Sequence, residues 1–258
     1  MVTEHEDRGS TAMLGGAALC FFVLILFQNV LRGVLGPTAK ASTSDISVLL
    51  HEHAWSVHLM VVTYLVGLPA LLWFSTNIGA WCARRNPAAA AWGRLGAASA
   101  IVVAVLFGII NVVQLTMVAA RDQLSADPTL AGLVWTFHNG VFTVNMAGVG
   151  LALLGLGRAA VLARLVPRWL SPVVAVGAVL LVVAAVPAVA VTTGSPWIGL
   201  GYAGFVVWLL FLAMAGVALL RGPRAVASES AGSLPDASAS GAGAGPRRAE
   251  TISRARRP

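Results

Sequence analysis

The chain has 258 residues, of which 58% are hydrophobic and only 10% charged, where a soluble domain carries about 25% charged residues. A water-soluble fold of this length cannot hide so much apolar surface, so the surplus faces lipid and a soluble globular protein is excluded. The net charge is +7, but seven of the seventeen basic residues lie beyond Leu220 and six more in two short connectors. That is the placement of topology signals and lipid-headgroup contacts, and it makes nucleic acid a poor partner.

In chain order, the first eleven residues carry Glu4, Glu6 and Asp7 beside a single basic residue, Arg8. They lack the basic leader and small-residue cleavage site of a signal peptide, so 1–11 reads as a cytoplasmic N-tail before an uncleaved helix. A membrane-crossing helix needs about 20 mostly apolar residues. Six stretches meet this, at about 12–34, 56–81, 95–120, 138–162, 172–193 and 197–220. The predicted fold class is therefore all-α, a polytopic bundle of six transmembrane helices filling 12–221. Pro69 and Pro187 fall inside the second and fifth spans and predict kinks. From 222 to 258 the chain turns to Ala, Ser, Gly, Pro and Arg, which predicts a disordered basic cytoplasmic tail that touches anionic lipid headgroups.

Connector charge sets the orientation. Arg84, Arg85 and Arg94 occupy the second connector and Arg158, Arg164 and Arg168 the fourth. The first offers Lys40, the third Arg121 and the fifth nothing. The positive-inside rule places connectors two and four and the tail in the cytoplasm, and six spans then put the N-terminus inside as well. Tryptophans fit this frame, with Trp55, Trp135 and Trp197 expected at the outer interface and Trp81, Trp92 and Trp169 at the inner one. Trp73 and Trp208 lie within spans. Cys20 and Cys82 read as packing residues, because both fall toward the cytoplasmic half.

Between residues 9 and 228 there are only four carboxylates, Asp45, Glu52, Asp122 and Asp127. All four, with His51, His53, His58 and His138, belong to the outer connectors or to the helix ends beside them. Residues seven apart lie nearly on one helix face, about 20° off. His51, Trp55 and His58 would share a face if the second helix starts early. Asn111, Gln114 and Arg121 share one on the third, and His138, Phe142 and Asn145 one on the fourth. Gln28, Asn29 and Arg32 end the first helix.

Helices one to four are thus expected to converge on an outward-opening polar pocket, with five and six as an apolar flank. Its candidate residues are Gln28, Asn29, Arg32, Glu52, His58, Asn111, Gln114, Arg121, Asp122, His138 and Asn145. Arg32 and Arg121 call for carboxylate partners in a low dielectric, and Glu52 and Asp122 are the nearest in sequence. For any one of these residues a structural role is the commoner one. Asp45 and Asp127 in particular suit loop or cap positions.

The segment Leu165-Val-Pro-Arg-Trp-Leu170 follows a Gly-rich span with Gly148, Gly150, Gly155 and Gly157, and a closing Val-Trp-Leu-Leu helix starts at Val207. Over about 135–221 this resembles a group of uncharacterised six-helix bacterial membrane proteins, a domain-of-unknown-function family with a Leu-x-Pro-Arg-Trp-Leu step after the fourth helix. The resemblance implies a six-helix fold in the bacterial cell (plasma) membrane and carries over no catalytic residue.

Three functional readings follow. A small or lipid-like molecule bound in the outer pocket is favoured, since a mostly apolar cavity with a few convergent polar groups suits it. A membrane enzyme, or a haem or metal protein using the outer His/Glu/Asp cluster, is the alternative, with His51, His53, His58 and His138 as possible ligands. No diagnostic metal or haem spacing occurs, so no cofactor is predicted. A small secondary transporter comes third, because the midplane lacks charges. No catalytic signature assigns a reaction.

Overall fold

A computed structural model of the chain describes residues 2–35 and 41–222, and all its regular elements there are helical. The long helices are α1 (Val2–Leu35), α3 (Ala54–Arg85), α4 (Ala90–Ala119), α6 (Pro128–Leu162) and α9 (Ile198–Arg221), all apolar enough and long enough to cross a membrane. Shorter ones are α2 (Thr43–His51), α5 (Arg121–Ala126), α7 (Leu170–Ala185) and α8 (Ala188–Thr192). The basic tail and Lys40 lie outside the described residues.

Local chemistry accounts for the helix ends. Ser42 and Asp45 form a reciprocal capping box at α2, which satisfies two backbone donors that a helix start leaves open. Accepting two hydrogen bonds from Ser42, its hydroxyl first and then its backbone N–H, holds the Asp45 carboxyl below the usual carboxylate range. Asp127 caps α6 by accepting from the N–H groups of Thr129 and Leu130 at 2.9 and 3.1 Å, and Pro128 fills the first helical position. These two signals carry α6 ten residues beyond the apolar run that starts at 138.

At the other end of α6, Leu165 N–H bonds Ala160 C=O and Arg164 N–H bonds Val161 C=O, a Schellman closure. The left-handed position of this motif, φ 56°, is held by Arg164 where glycine is usual.

The fifth expected span, 172–193, is not one helix. Pro187 lacks the N–H that would continue the ladder, so α7 stops at Ala185 after 16 residues and five-residue α8 follows. Pro69, by contrast, sits inside an uninterrupted α3.

The spans pack in chain order as a ring, α1 on α3, α3 on α4, α4 on α6, α6 on α7, α7 on α9, and α9 back on α1. A Cβ on Gly15 of α1 would meet the Gly216 carbonyl of α9 at 2.8 Å, so the start of α1 lies against the end of α9 and the two helices are antiparallel. The α4–α6 crossing is tighter, with Gly96 and Gly155 backbone to backbone and no room for either to carry a side chain. The main core runs along this ring, with Phe21, Phe74, Leu153, Leu156, Phe211 and Leu212 fully buried.

The tryptophan belts are only partly as expected. Trp55, Trp169 and Trp197 are about half exposed, at 56%, 55% and 49%, but Trp135 and Trp81 are buried. Trp81 packs in the main core cluster, and Arg85 lies over its ring at 3.5 Å. Trp73 is exposed and Trp208 is packed in the core.

Candidate functional site

The second halves of α1 and α4 and the first halves of α3 and α6 bring a set of polar side chains into the protein interior. Gln28, Asn111, Gln114, His138, Asn139 and Asn145 are all buried, on helices whose outer faces are Val, Leu, Ile and Phe. The predicted faces account for this: 111 and 114, and 138 and 145, turn toward one another across the bundle. Tyr64 donates to Gln28 Oε1 at 3.1 Å, and Asn29 bonds its own helix at the Ile25 carbonyl.

His138 is the centre of the cluster. Its ring lies parallel to Trp135, 5.0 Å away and 9° from coplanar. Gln114 Nε2 lies 3.1 Å from His138 Nε2, and His138 Nδ1 lies 3.3 Å from Asn139 Oδ1. The pairing is satisfied by a neutral imidazole that carries its proton on Nδ1, donates it to Asn139 and accepts from Gln114. Several buried atoms nearby have no partner among the described residues: Asn111 Oδ1, Gln114 Oε1, Asn145 Oδ1, Trp135 Nε1 and Asn139 Nδ2. Each such group costs about 1–3 kcal/mol when left unmet, so a cluster of five calls for water or a ligand.

Arg32 adjoins this cluster near the end of α1. Its guanidinium lies over the Phe142 ring, 4.5 Å from the centroid, and it has no carboxylate partner or hydrogen bond among the described residues. The ring contact is worth about 0.5–2 kcal/mol, less than the several kcal/mol that desolvating an ion costs.

Two small cavities lie in this region, and Arg32 lines the first of them. One, about 20 Å³, is lined by Arg32, Gln114, Trp135 and His138 with Leu49 and Leu50 of α2 as its outer wall. The other, about 30 Å³, lies between Tyr64, Phe142, Asn145 and Tyr202. Spaces of that size hold a water or two, so anything larger enters only if α2 moves. α2 meets α5 through a buried cluster of Ile46 and Leu50 with Leu124, Met117 and Trp135, and through two exposed contacts, His51 to Asp122 at 3.5 Å and Ser47 to Ser125 at 3.4 Å.

Other expected members fall outside this interior. Arg121 and Asp122 are exposed on α5, 3.8 Å apart, because the helix breaks at Ala120 and turns them away from Asn111 and Gln114. Glu52 is the exposed C-cap of α2, and the break at Glu52–His53 separates His51 from the face of α3. His58 is exposed and bonds the Ala54 carbonyl. The carboxylate partners expected for Arg32 are therefore replaced by an aromatic face. Among the described residues no three His, Cys, Asp or Glu side chains come together in a metal-binding group.

Tyr64 and Asn139 were not among the predicted residues. Tyr64 carried a usable signal, since a phenol deep in a span needs a partner and Gln28 is at its depth. α9 also departs from its expected role as a plain flank, because Gly201, Tyr202 and Phe205 line the second cavity.

Fold and cluster together define a multi-pass α-helical membrane protein with a buried polar centre between its spans. Comparison with known protein families, with curated proteins and with solved structures gives no match.

Proposed function

We propose that this protein binds a small or lipid-like molecule in an outward-facing polar pocket between α1, α3, α4 and α6. The observation that carries the reading is a set of unpartnered buried polar atoms on α4 and α6, near a cation with no counter-charge among the described residues. Gln114 Oε1, Trp135 Nε1 and Asn139 Nδ2 lie beside His138, and Asn111 Oδ1 and Asn145 Oδ1 a turn or two along the same helices. A purely structural polar layer would satisfy its own members, as Tyr64 and Gln28 do. Native mass spectrometry of the full chain released from membranes tests this. A bound small molecule whose occupancy drops in Gln114→Leu is the expected result. An empty spectrum for the wild type, with Gln114→Leu equally stable or more so, overturns it.

The pocket faces outward if the chain makes six crossings with both ends in the cytoplasm of a bacterial cell. The antiparallel contact of Gly15 with Gly216 supports this, because it puts the first and last spans' ends on one side and so requires an even number of crossings. α7 with α8 then supplies the fifth. The Asn86 side chain bonds the Leu162 carbonyl at 2.9 Å, which brings the two arginine-rich connectors to one face. The resemblance to six-helix bacterial membrane proteins belongs to the same proposal. Reporter fusions after Arg221 and after Ala126 test it: the first is expected to be active only as a cytoplasmic reporter, the second only as an exported one.

A further inference from the structure

We infer that the molecule bound at this pocket carries one oxyanion, a carboxylate or a phosphate ester, on an apolar body, and that Arg32 holds the oxyanion. The inference rests on the pocket reading and adds its ligand class.

The Arg32 guanidinium lies over the Phe142 ring and lines the first cavity, and its N–H edge has no hydrogen-bond partner among the described residues. That edge is a planar fork matched to two oxygens of a carboxylate or phosphate. No protein carboxylate competes for it among the described residues, because Glu52, Asp122 and Asp127 are exposed elsewhere and Asp45 is engaged at the α2 cap. Trp135 Nε1 is a second donor without a partner, on an indole that lines the same cavity. The lining holds no further cation, and His138 there is committed to Gln114 and Asn139, so a single anionic group is what the site accommodates.

The rest of the wall selects the body of the ligand. Leu49, Leu50, Val57, Met60 and Met117 surround the cavity and offer no polar side-chain atoms to a hydroxylated or peptidic molecule. The space as it stands, about 20 Å³, holds no hydrocarbon chain, but such a chain suits these walls once α2 moves aside, with its charged end at Arg32 near the end of α1.

Equilibrium binding of radiolabelled decanoate to the full chain in phosphatidylcholine nanodiscs, with empty nanodiscs subtracted, tests the inference. Decanoate is expected to bind, and Arg32→Gln to weaken it about ten- to a hundredfold, as the loss of a charge-assisted hydrogen bond would. Decyl phosphate is expected to compete, and its strength against decanoate tells which oxyanion is preferred. Decanol, neutral and of the same length, is expected not to compete. Decanol binding as tightly as decanoate overturns the oxyanion while leaving the pocket intact. Competition by inorganic phosphate as strong as by decyl phosphate overturns the apolar body. Failure of decanoate, decyl phosphate and decanol alike, in a protein whose native mass spectrum shows a bound species, refutes this ligand class and spares the pocket. The decanoate–decanol comparison uses the wild type only, so it stands if Arg32→Gln does not fold.

Discussion

Arg164 shows at single-residue scale how a topological signal and a helix terminator have been placed in one position. An L-residue in the left-handed region costs about 1–2 kcal/mol relative to glycine, and this one is not repaid by any described side-chain bond. Arg164→Gly is therefore expected to raise the thermal unfolding midpoint in detergent, by about 1 kcal/mol in stability, whereas Arg164→Ala leaves it unchanged. Equal midpoints for wild type and the glycine variant would show that the arginine's interfacial contacts offset the strain.

Gly155 makes the opposite case, a position where any side chain is refused. Its added Cβ would overlap the Gly96 backbone, which cannot give way as a flexible side-chain tip can. Gly155→Leu is expected to lose about 1–3 kcal/mol or more and to separate α4 from α6. Because Asn111 and Gln114 face His138 and Asn145 across that same helix pair, ligand retention is expected to fall with it. Retention of full thermal stability would mean that the two helices cross elsewhere.

At the scale of elements, α2 is the piece whose position governs access. Leu49 and Leu50 form one wall of the first cavity, and buried packing of Ile46, Leu49 and Leu50 together with the surface contacts to α5 holds the helix there. Ser47→Cys with Ser125→Cys, in a Cys20→Ala, Cys82→Ala background, places two thiols where hydroxyls now lie 3.4 Å apart. Oxidation is expected to slow decanoate uptake severalfold and reduction to restore it; an unchanged rate would mean entry by another route.

The long helices were legible because about twenty consecutive apolar residues have few other outcomes. Their starts were less so, since Asp127-Pro128 begins α6 well before the hydrophobic run. The α7–α8 break was marked by Pro187, yet hydropathy alone runs straight through it. For the site, three-residue spacing puts Asn111 with Gln114 and seven-residue spacing puts His138 with Asn145, and all four are buried. Seven-residue spacing failed at Arg121 and His51, where short breaks at Ala120 and at Glu52–His53 reset the helix phase. Sequence distance also suggested Glu52 and Asp122 as partners for Arg32, since nothing local announces that Phe142 lies beneath it.

For the whole molecule, the ring of spans in chain order leaves every connection short and places α6 against neighbours on several sides. The end of the ring beside α2 and α5 encloses the polar cluster, and the opposite end carries the arginines of both short connectors. One member of the ring is shorter than the rest. Sixteen residues of α7 rise about 24 Å, while the hydrocarbon of an average bilayer is about 30 Å thick. Five-residue α8 and the polar turn from Thr192 to Ser195 follow it. If α7 crosses a bilayer without α8, the lipids beside it thin by a few ångströms to meet it, at a cost of fractions of a kcal/mol per Å. The protein's stability then depends on bilayer thickness. Its thermal stability is expected to be highest in short-chain phosphatidylcholine and to fall as acyl length grows; a flat dependence, read by thermal unfolding in nanodiscs of graded chain length, would argue that α8 completes the span without strain.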